Sequence, residues 1–342
     1  MEERIVAAES TLPFRALPAA ALRGRGPLGV ARGAATTLAG VRAALALIAE
    51  LRPRAILGTG GYVCVPLFLA ARARGVPTAI YLPDVVPGLA VRLLSKIATR
   101  TAVNVEDALP RLGLRPGHPR AAVTGYPVRA ELFTQDREAC RRAFGVAGAL
   151  PVALVYGGSR GARSVNRAVL ALLPDLLERA AVIHVCGREG DEAWLREGAA
   201  TLPERLRERY KLFPYLASGE TDQSMIRALG AADVAICRSG ASTLAELPAA
   251  GLAAVLVPYP YVHQDENADY LVRRGAAVKV ADDAMLGPGR PTDGALFRQV
   301  ARLLEHKHER QSMAERSRAL ARPDAARHLA ELTLGLAARS GG

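Results

Sequence analysis

Short aliphatic and β-branched runs alternate with longer amphipathic stretches along most of this chain, the pattern produced by parallel strands joined by crossover helices. One series of strands is expected at residues 55–57, 78–81, 101–104 and 121–124, and a second at 152–156, 181–185, 234–237, 254–258 and 277–280. Helical periodicity lies between them, at 38–51, 164–177, 191–210 and 244–250. The reading is a doubly wound α/β fold, built twice.

The two series are separated at residues 128–150, where strand patterning stops and the polar Thr134, Gln135 and Asp136 intervene. A chain of 342 residues is also too long for one ordinary core. The expected domains are therefore 1–133 and 134–318, with 319–342 forming a helix that packs back toward the first. A doubly wound domain opens with a strand and a glycine-rich turn. Met1-Glu2-Glu3-Arg4-Ile5-Val6 instead reads as helical, so the first domain is expected to lack its opening βαβ unit.

Composition narrows the function classes. The net charge is +12, carried by arginine, since the only lysines are Lys96, Lys211, Lys279 and Lys307. Codon bias explains such an excess as well as attraction to anionic lipid or phosphate does. No basic run is interleaved with aromatic residues, so nucleic acid is not an expected partner. Cys64, Cys140, Cys186 and Cys237 have no metal-ligand spacing, and a reduced protein without metal or cofactor is expected. No run approaches the ~20 consecutive apolar residues of a membrane span, and the acidic start is unlike a signal peptide.

Three glycine-rich turns each link a strand to a helix. The sharpest is Tyr156-Gly157-Gly158-Ser159-Arg160-Gly161-Ala162, where close backbone approach and a helix N-terminus suit a phosphate; a plain tight turn is the alternative. In Cys237-Arg238-Ser239-Gly240-Ala241-Ser242-Thr243, Ser242 or Thr243 is expected to cap the next helix. Glu246, one turn in, can take both hydroxyls of a ribose, or reach back as half of a capping box. The third is Gly58-Thr59-Gly60-Gly61-Tyr62. At strand ends, His263 and Gln264 can bond sugar hydroxyls, Arg129 suits a diphosphate, and Asp84 supplies a carboxylate; each also reads as an ordinary surface or turn residue.

In order, these segments resemble the bacterial cell-wall N-acetylglucosaminyltransferases that make the final lipid-linked disaccharide precursor. The matches are Gly58-Thr59-Gly60-Gly61-Tyr62, Pro87-Gly88, Gly125-Tyr126-Pro127-Val128-Arg129, Gly157 to Ala162 with Asn166, Cys237 to Ala241 with Thr243 and Glu246, and His263-Gln264 with Asn267-Ala268. The resemblance implies a GT-B fold of two Rossmann-like domains facing a cleft. It implies inverting, metal-independent transfer from UDP-N-acetylglucosamine to undecaprenyl-diphosphate-linked muramyl-pentapeptide.

On the matching positions, Ser159 and the amides of Ala241, Ser242 and Thr243 would hold the diphosphate, and Glu246 the ribose. Gln264 and His263 would face the transferred sugar, Arg129 would lie near the nucleotide, and the backbone at Leu216 would read uracil. The family's opening glycine-rich loop, with its histidine base, has no counterpart, so no catalytic base is assigned. The family's His-Glu-Gln-Asn run stands here as Tyr81-Leu82-Pro83-Asp84, putting a carboxylate where an amide would touch the sugar, and a Gln stands as Arg160. A lipid acceptor implies a peripheral place on the anionic cytoplasmic face of the membrane, with residues 22–51 as a candidate patch. The competing readings are a UDP-sugar-binding fragment without activity, a related UDP-sugar glycosyltransferase or epimerase, and a nucleotide-sugar sensor.

Overall fold

All paired strands among the described residues run parallel, as crossover helices require. The computed structural model describes residues 10–20, 27–158, 160–217, 219 and 221–339, with Glu3 and Val6. It divides into two units. One comprises Met1–Pro83, Pro87–Thr124 and Arg327–Gly342; the other comprises Asp84–Val86 and Gly125–Ala326.

In the first unit, β1 (Ile56–Gly58), β2 (Thr78–Leu82), β3 (Arg100–Val103) and β4 (Ala121–Val123) lie side by side in that order. Its helices include α1 (Pro27–Leu51), α2 (Cys64–Ala73) and α3 (Leu89–Ile97). Helix α1 packs along α2, with Ala44, Ile48 and Phe68 buried. The expectation that no segment has the length and apolarity of a span needs correction. Arg32–Leu51 is 20 residues long with mean hydropathy 1.5, because Ala and Leu outweigh the interruptions at Arg42 and Glu50. Core helices of soluble proteins and signal sequences meet the same test.

The second unit holds α4 (Arg137–Ala143), β5 (Val152–Tyr156), α5 (Arg163–Leu177), β6 (Ala181–Val185), α6 (Glu192–Ala200), α7 (Glu204–Arg207) and β7 (Tyr210–Phe213). It continues through α8 (Met225–Ala231), β8 (Val234–Cys237), α9 (Thr243–Ala250), β9 (Ala253–Leu256), α10 (Asp265–Arg273) and β10 (Ala277–Lys279). Helices α11 (Ala295–Glu305), α12 (Lys307–Arg318) and α13 (Ala325–Arg339) end the chain, the last passing into the first unit.

The six strands are ordered β10-β9-β8-β5-β6-β7. The chain leaves β5 in one direction, then returns to β8 on its other side. In an open α/β sheet such a reversal opens a crevice at the strand ends where ligands bind. Strands β5, β6, β8 and β9 are buried at every position, as strands covered on both faces must be. One core joins Val155, Val169, Leu172, Leu176, Ile236, Val255 and Leu303.

Two elements differ from expectation. Residues 191–210 are not one helix, because Pro203 stands at the start of α7 and cannot continue α6; β7, a strand at the sheet edge, follows. Its Lys211 and the preceding Arg209 mask the strand pattern. The stretch 128–150 contains α4, whose cap Asp136 accepts from the N–H groups of Glu138 and Ala139.

Asp233 ties this unit together at the entrance to β8. Its Oδ2 accepts from Arg141 Nη2 at 2.5 Å and from the Val152 N–H at 2.7 Å, and its Oδ1 from Arg137 Nη1 at 2.7 Å. Removing one partner of a buried pair strands the other. Asp233→Ala should therefore lower the unfolding free energy by about 3 kcal/mol, measured by urea denaturation. A wild-type midpoint in that variant would show that the clamp holds nothing.

Candidate active site

Tyr156 at the end of β5 is level with Val185 on one side and Cys237 on the other, so three loops leave the sheet together. The first runs from Gly157 to Ala162; Ser159 lies outside the described residues. Gly161 has φ +89°, and a side chain there would strike the Cys186 carbonyl, so the first two loops touch backbone to backbone. No side chain caps α5, and the N–H groups of Arg163 and Ser164 bond to nothing among the described residues. They remain open to an anion.

The loop after β8 does the same by another route. Neither Ser242 nor Thr243 caps α9, contrary to expectation: Ser242 Oγ donates to Glu246 at 3.1 Å and Thr243 Oγ1 to the Arg238 carbonyl at 3.1 Å. The capping-box alternative for Glu246 is absent, since its carboxylate takes the Ser242 hydroxyl and not a backbone N–H. The Ala241 and Ser242 N–H groups bond to nothing among the described residues. Burial raises the Glu246 pKa, opposed by the Ser242 hydrogen bond. The Tyr156 phenol lies against Cys237 and Thr243, and burial drives its pKa well up.

Arg238 builds the floor between these turns. Its Nη1 donates to the carbonyls of Val257 and Pro258 at 3.0 and 3.1 Å and to Asp282 at 2.6 Å, and its Nη2 donates to Ser164 Oγ at 2.7 Å. Ser164 donates in turn to Asp282 at 2.8 Å. Above it a cavity of about 560 Å³ is lined by Gly157, Gly158, residues 160–164, Glu189, Tyr259 and Gln264. Gln264 accepts from the Tyr259 N–H at 2.9 Å. Arg160, 79% exposed, pairs with Glu189 at 2.5 Å across the rim.

A second group gathers around Asp84. Asn267, fully buried, donates to Asp84 Oδ1 at 2.8 Å and to the Ser239 carbonyl at 3.0 Å, and accepts from the Val85 N–H at 3.0 Å. Burial raises the Asp84 pKa, opposed by Asn267 and His263. Tyr126 is raised by burial and by the charges of Glu246 and Asp84. His263 itself is exposed, 3.8 Å from Glu266. Arg129 opens on a separate cavity of about 420 Å³, with Glu131, Gln135, Thr221, Ser224 and Arg227. Leu216 is buried, shortly after β7.

Behind the first turn runs a buried polar chain. Asn166 Nδ2 donates to the Cys186 carbonyl at 2.8 Å and to Asp191 at 2.9 Å. Its Oδ1 therefore accepts from His184 Nε2–H at 3.0 Å, leaving His184 Nδ1 to accept from the Tyr210 hydroxyl at 2.8 Å. Burial opposes ionisation of Asp191, but hydrogen bonds from Asn166, Arg163 and Trp194 outweigh it and hold its pKa down. Sequence reasoning missed Asp282, Glu189, Tyr259 and this chain. Asp282 stands 118 residues from its partner Ser164, and no local pattern announces such a pair.

Two parallel-sheet α/β units, with a switch-point crevice in the second, define the GT-B class of glycosyltransferase fold. The chain belongs to glycosyltransferase family 28, whose N-terminal domain matches residues 1–103 and whose C-terminal domain matches residues 152–329. It is 58% identical over 355 residues to the UDP-N-acetylglucosamine--N-acetylmuramyl-(pentapeptide) pyrophosphoryl-undecaprenol N-acetylglucosamine transferase of Roseiflexus sp. (strain RS-1), covering 97% of this chain and 80% of that protein. A crystal structure of Acinetobacter baumannii MurG superposes with a TM-score of 0.72 at 26% identity, covering 98% of this chain and 88% of that one. The UDP-GlcNAc 2-epimerase of Neisseria meningitidis gives a TM-score of 0.66 at 13% identity, over 98% of this chain and 88% of that one, and shares the fold alone.

The His184 chain makes a pH dependence. Burial lowers the His184 pKa from 6.5 to about 3, so between those values the unfolded chain binds the extra proton and stability falls as pH falls. His184→Gln keeps a donor toward Asn166 without the titration. Urea midpoints at about pH 7 and pH 4.5 should converge in the variant relative to wild type; equal slopes in both proteins would refute the assignment.

Proposed function

We propose that this chain transfers N-acetylglucosamine from UDP-N-acetylglucosamine to the muramyl sugar of undecaprenyl-diphosphate-linked muramyl-pentapeptide, with inversion and without a metal. The observation that carries the donor reading is the pair of uncapped helix starts, α5 and α9, on the neighbouring strands β5 and β8. Open N–H groups and two positive dipole ends suit a diphosphate. The acceptor and the sugar follow from the family and from the name carried by the relative that is 58% identical.

In this reading Ser159 and the open amides of Ala241 and Ser242 grip the diphosphate, and Glu246 takes the ribose; the Thr243 N–H, expected to join them, donates to the Gly240 carbonyl at 3.1 Å. Arg129 lies near the nucleotide and the backbone at Leu216 reads uracil, while Gln264 and His263 face the sugar. As the sugar departs, negative charge grows on UDP, and preformed dipoles stabilise it without reorganising. The chemistry belongs to membrane-associated peptidoglycan synthesis. A peripheral site on the cytoplasmic face is supported by the first unit, where Leu89 and Leu93 are 58% and 54% exposed. Arg92, Lys96 and Arg111 surround them, a mixture suited to an anionic lipid surface.

The test supplies radiolabelled UDP-N-acetylglucosamine with lipid-linked muramyl-pentapeptide in vesicles. Label should enter the lipid fraction only when the acceptor is present, with stoichiometric UDP release. Glu246→Ala should weaken UDP binding about 10- to 100-fold by calorimetry, the loss of charge-assisted hydrogen bonds. Turnover on a different acceptor alone, or epimerisation of the donor, would overturn the assignment.

A further inference from the structure

Among the described residues, three arginines line the donor cavity: Arg160, Arg163 and Arg238. Two of them are committed to the protein itself. Arg238 serves Asp282, Ser164 and the carbonyls of Val257 and Pro258 through Nη1 and Nη2. Arg163 gives Nε to Asp191 at 2.8 Å and Nη2 to the Glu189 carbonyl at 3.4 Å. Asp282 and Asp191 thus cancel both charges. Arg160 differs: its Nε donates to Glu189 Oε1 at 2.5 Å, and its Nη1 and Nη2 make no hydrogen bond among the described residues.

We infer, on the transferase reading above, that Arg160 leaves Glu189 when the donor enters and takes up the negative charge growing on the departing diphosphate. As the acceptor oxygen bonds to the anomeric carbon, the bond from that carbon to the diphosphate oxygen breaks and its electron pair stays on UDP. Over the turnover the acceptor's hydroxyl proton is released to the medium. Arg160 exchanges no proton. Its Nη groups form a planar fork that fits two phosphate oxygens.

The surroundings favour this exchange. Arg160 and Glu189 are 79% and 54% exposed, and a pair so open to water is weakly held. A diphosphate offers more charge than one carboxylate, and inside the cavity less water screens it. Arg160 stands in the turn closed by the Gly161 N–H on the Gly158 carbonyl at 3.0 Å, just ahead of the α5 N–H groups that suit an anion. Gly161 lies hard against the Cys186 carbonyl, so the guanidinium can swing while its backbone stays in place. Glu189 also lines the cavity; its charge opposes a diphosphate and holds Arg160 back until the donor competes for it. Gln, the family's residue at this position, brings N–H donors without charge.

The experiment compares wild type, Arg160→Gln, Arg160→Lys and Glu189→Gln in the lipid-linked acceptor assay, with calorimetric affinities for UDP and UDP-N-acetylglucosamine. Both side chains are exposed, so each variant should fold. Arg160→Gln should lower kcat about 10-fold or more and leave KM for UDP-N-acetylglucosamine within about threefold. It should weaken UDP, whose terminal phosphate carries the extra charge, more than the sugar nucleotide. Arg160→Lys should recover part of kcat. Glu189→Gln frees Arg160 and should tighten UDP about threefold. A mere clasp at the rim would make Glu189→Gln and Arg160→Gln fall together, which would overturn the assignment; so would wild-type kcat and UDP affinity in Arg160→Gln. A wild type that binds UDP but transfers nothing would sink the transferase reading, and the UDP affinities of the two variants would still decide the role of Arg160.

Discussion

The parallel register of β5 between β6 and β8 is the constraint on which the second unit's chemistry depends. Because Tyr156 lies level with both Val185 and Cys237, the loops after three central strands start at one height. The reversal of chain direction beside β5 then parts the helices that follow β5 and β8. Two helix N-termini thus open at the same edge of the sheet, each with N–H groups that bond to nothing among the described residues. A shift of register would separate them and leave two ordinary turns.

Those turns are held by a network of buried side chains. Arg238 joins the ends of β8 and β9, the start of α5 and Asp282 after β10, and is nearly buried in doing so. Asn166, His184, Tyr210 and Asp191 brace the opposite wall through a chain of hydrogen bonds. Buried polar groups are costly unless all are paired, so their cost here is offset by a floor with few alternative arrangements. Rigid support of this kind allows N–H groups to remain unbonded and aimed before any donor arrives.

Much of this was legible in order along the chain. The glycines of the turn after β5, the polar run after β8 and the alternation of apolar strands with amphipathic helices are local signals, and each lies where its periodicity places it. Legibility failed where local signals conflicted. β7 was hidden by neighbouring charges, and α7 by its continuity with α6 across Pro203. The hydroxyls of Ser242 and Thr243 were misread as caps, because a cap motif does not say which acceptor will stand closer once the strands are assembled. Glu246 and the Arg238 carbonyl stood closer.

By itself the sequence determined the α/β class, the glycine-turned helix starts and the family, because strand and helix periods and turn residues act over a few neighbouring positions. Only the tertiary structure decided which turns became neighbours and which side chains each carboxylate met. Asp84 meets Asn267 across 183 positions and Asp282 meets Arg238 across 44. Such meetings depend on the order in which strands enter the sheet, a property of the whole packed unit that no short window of residues contains.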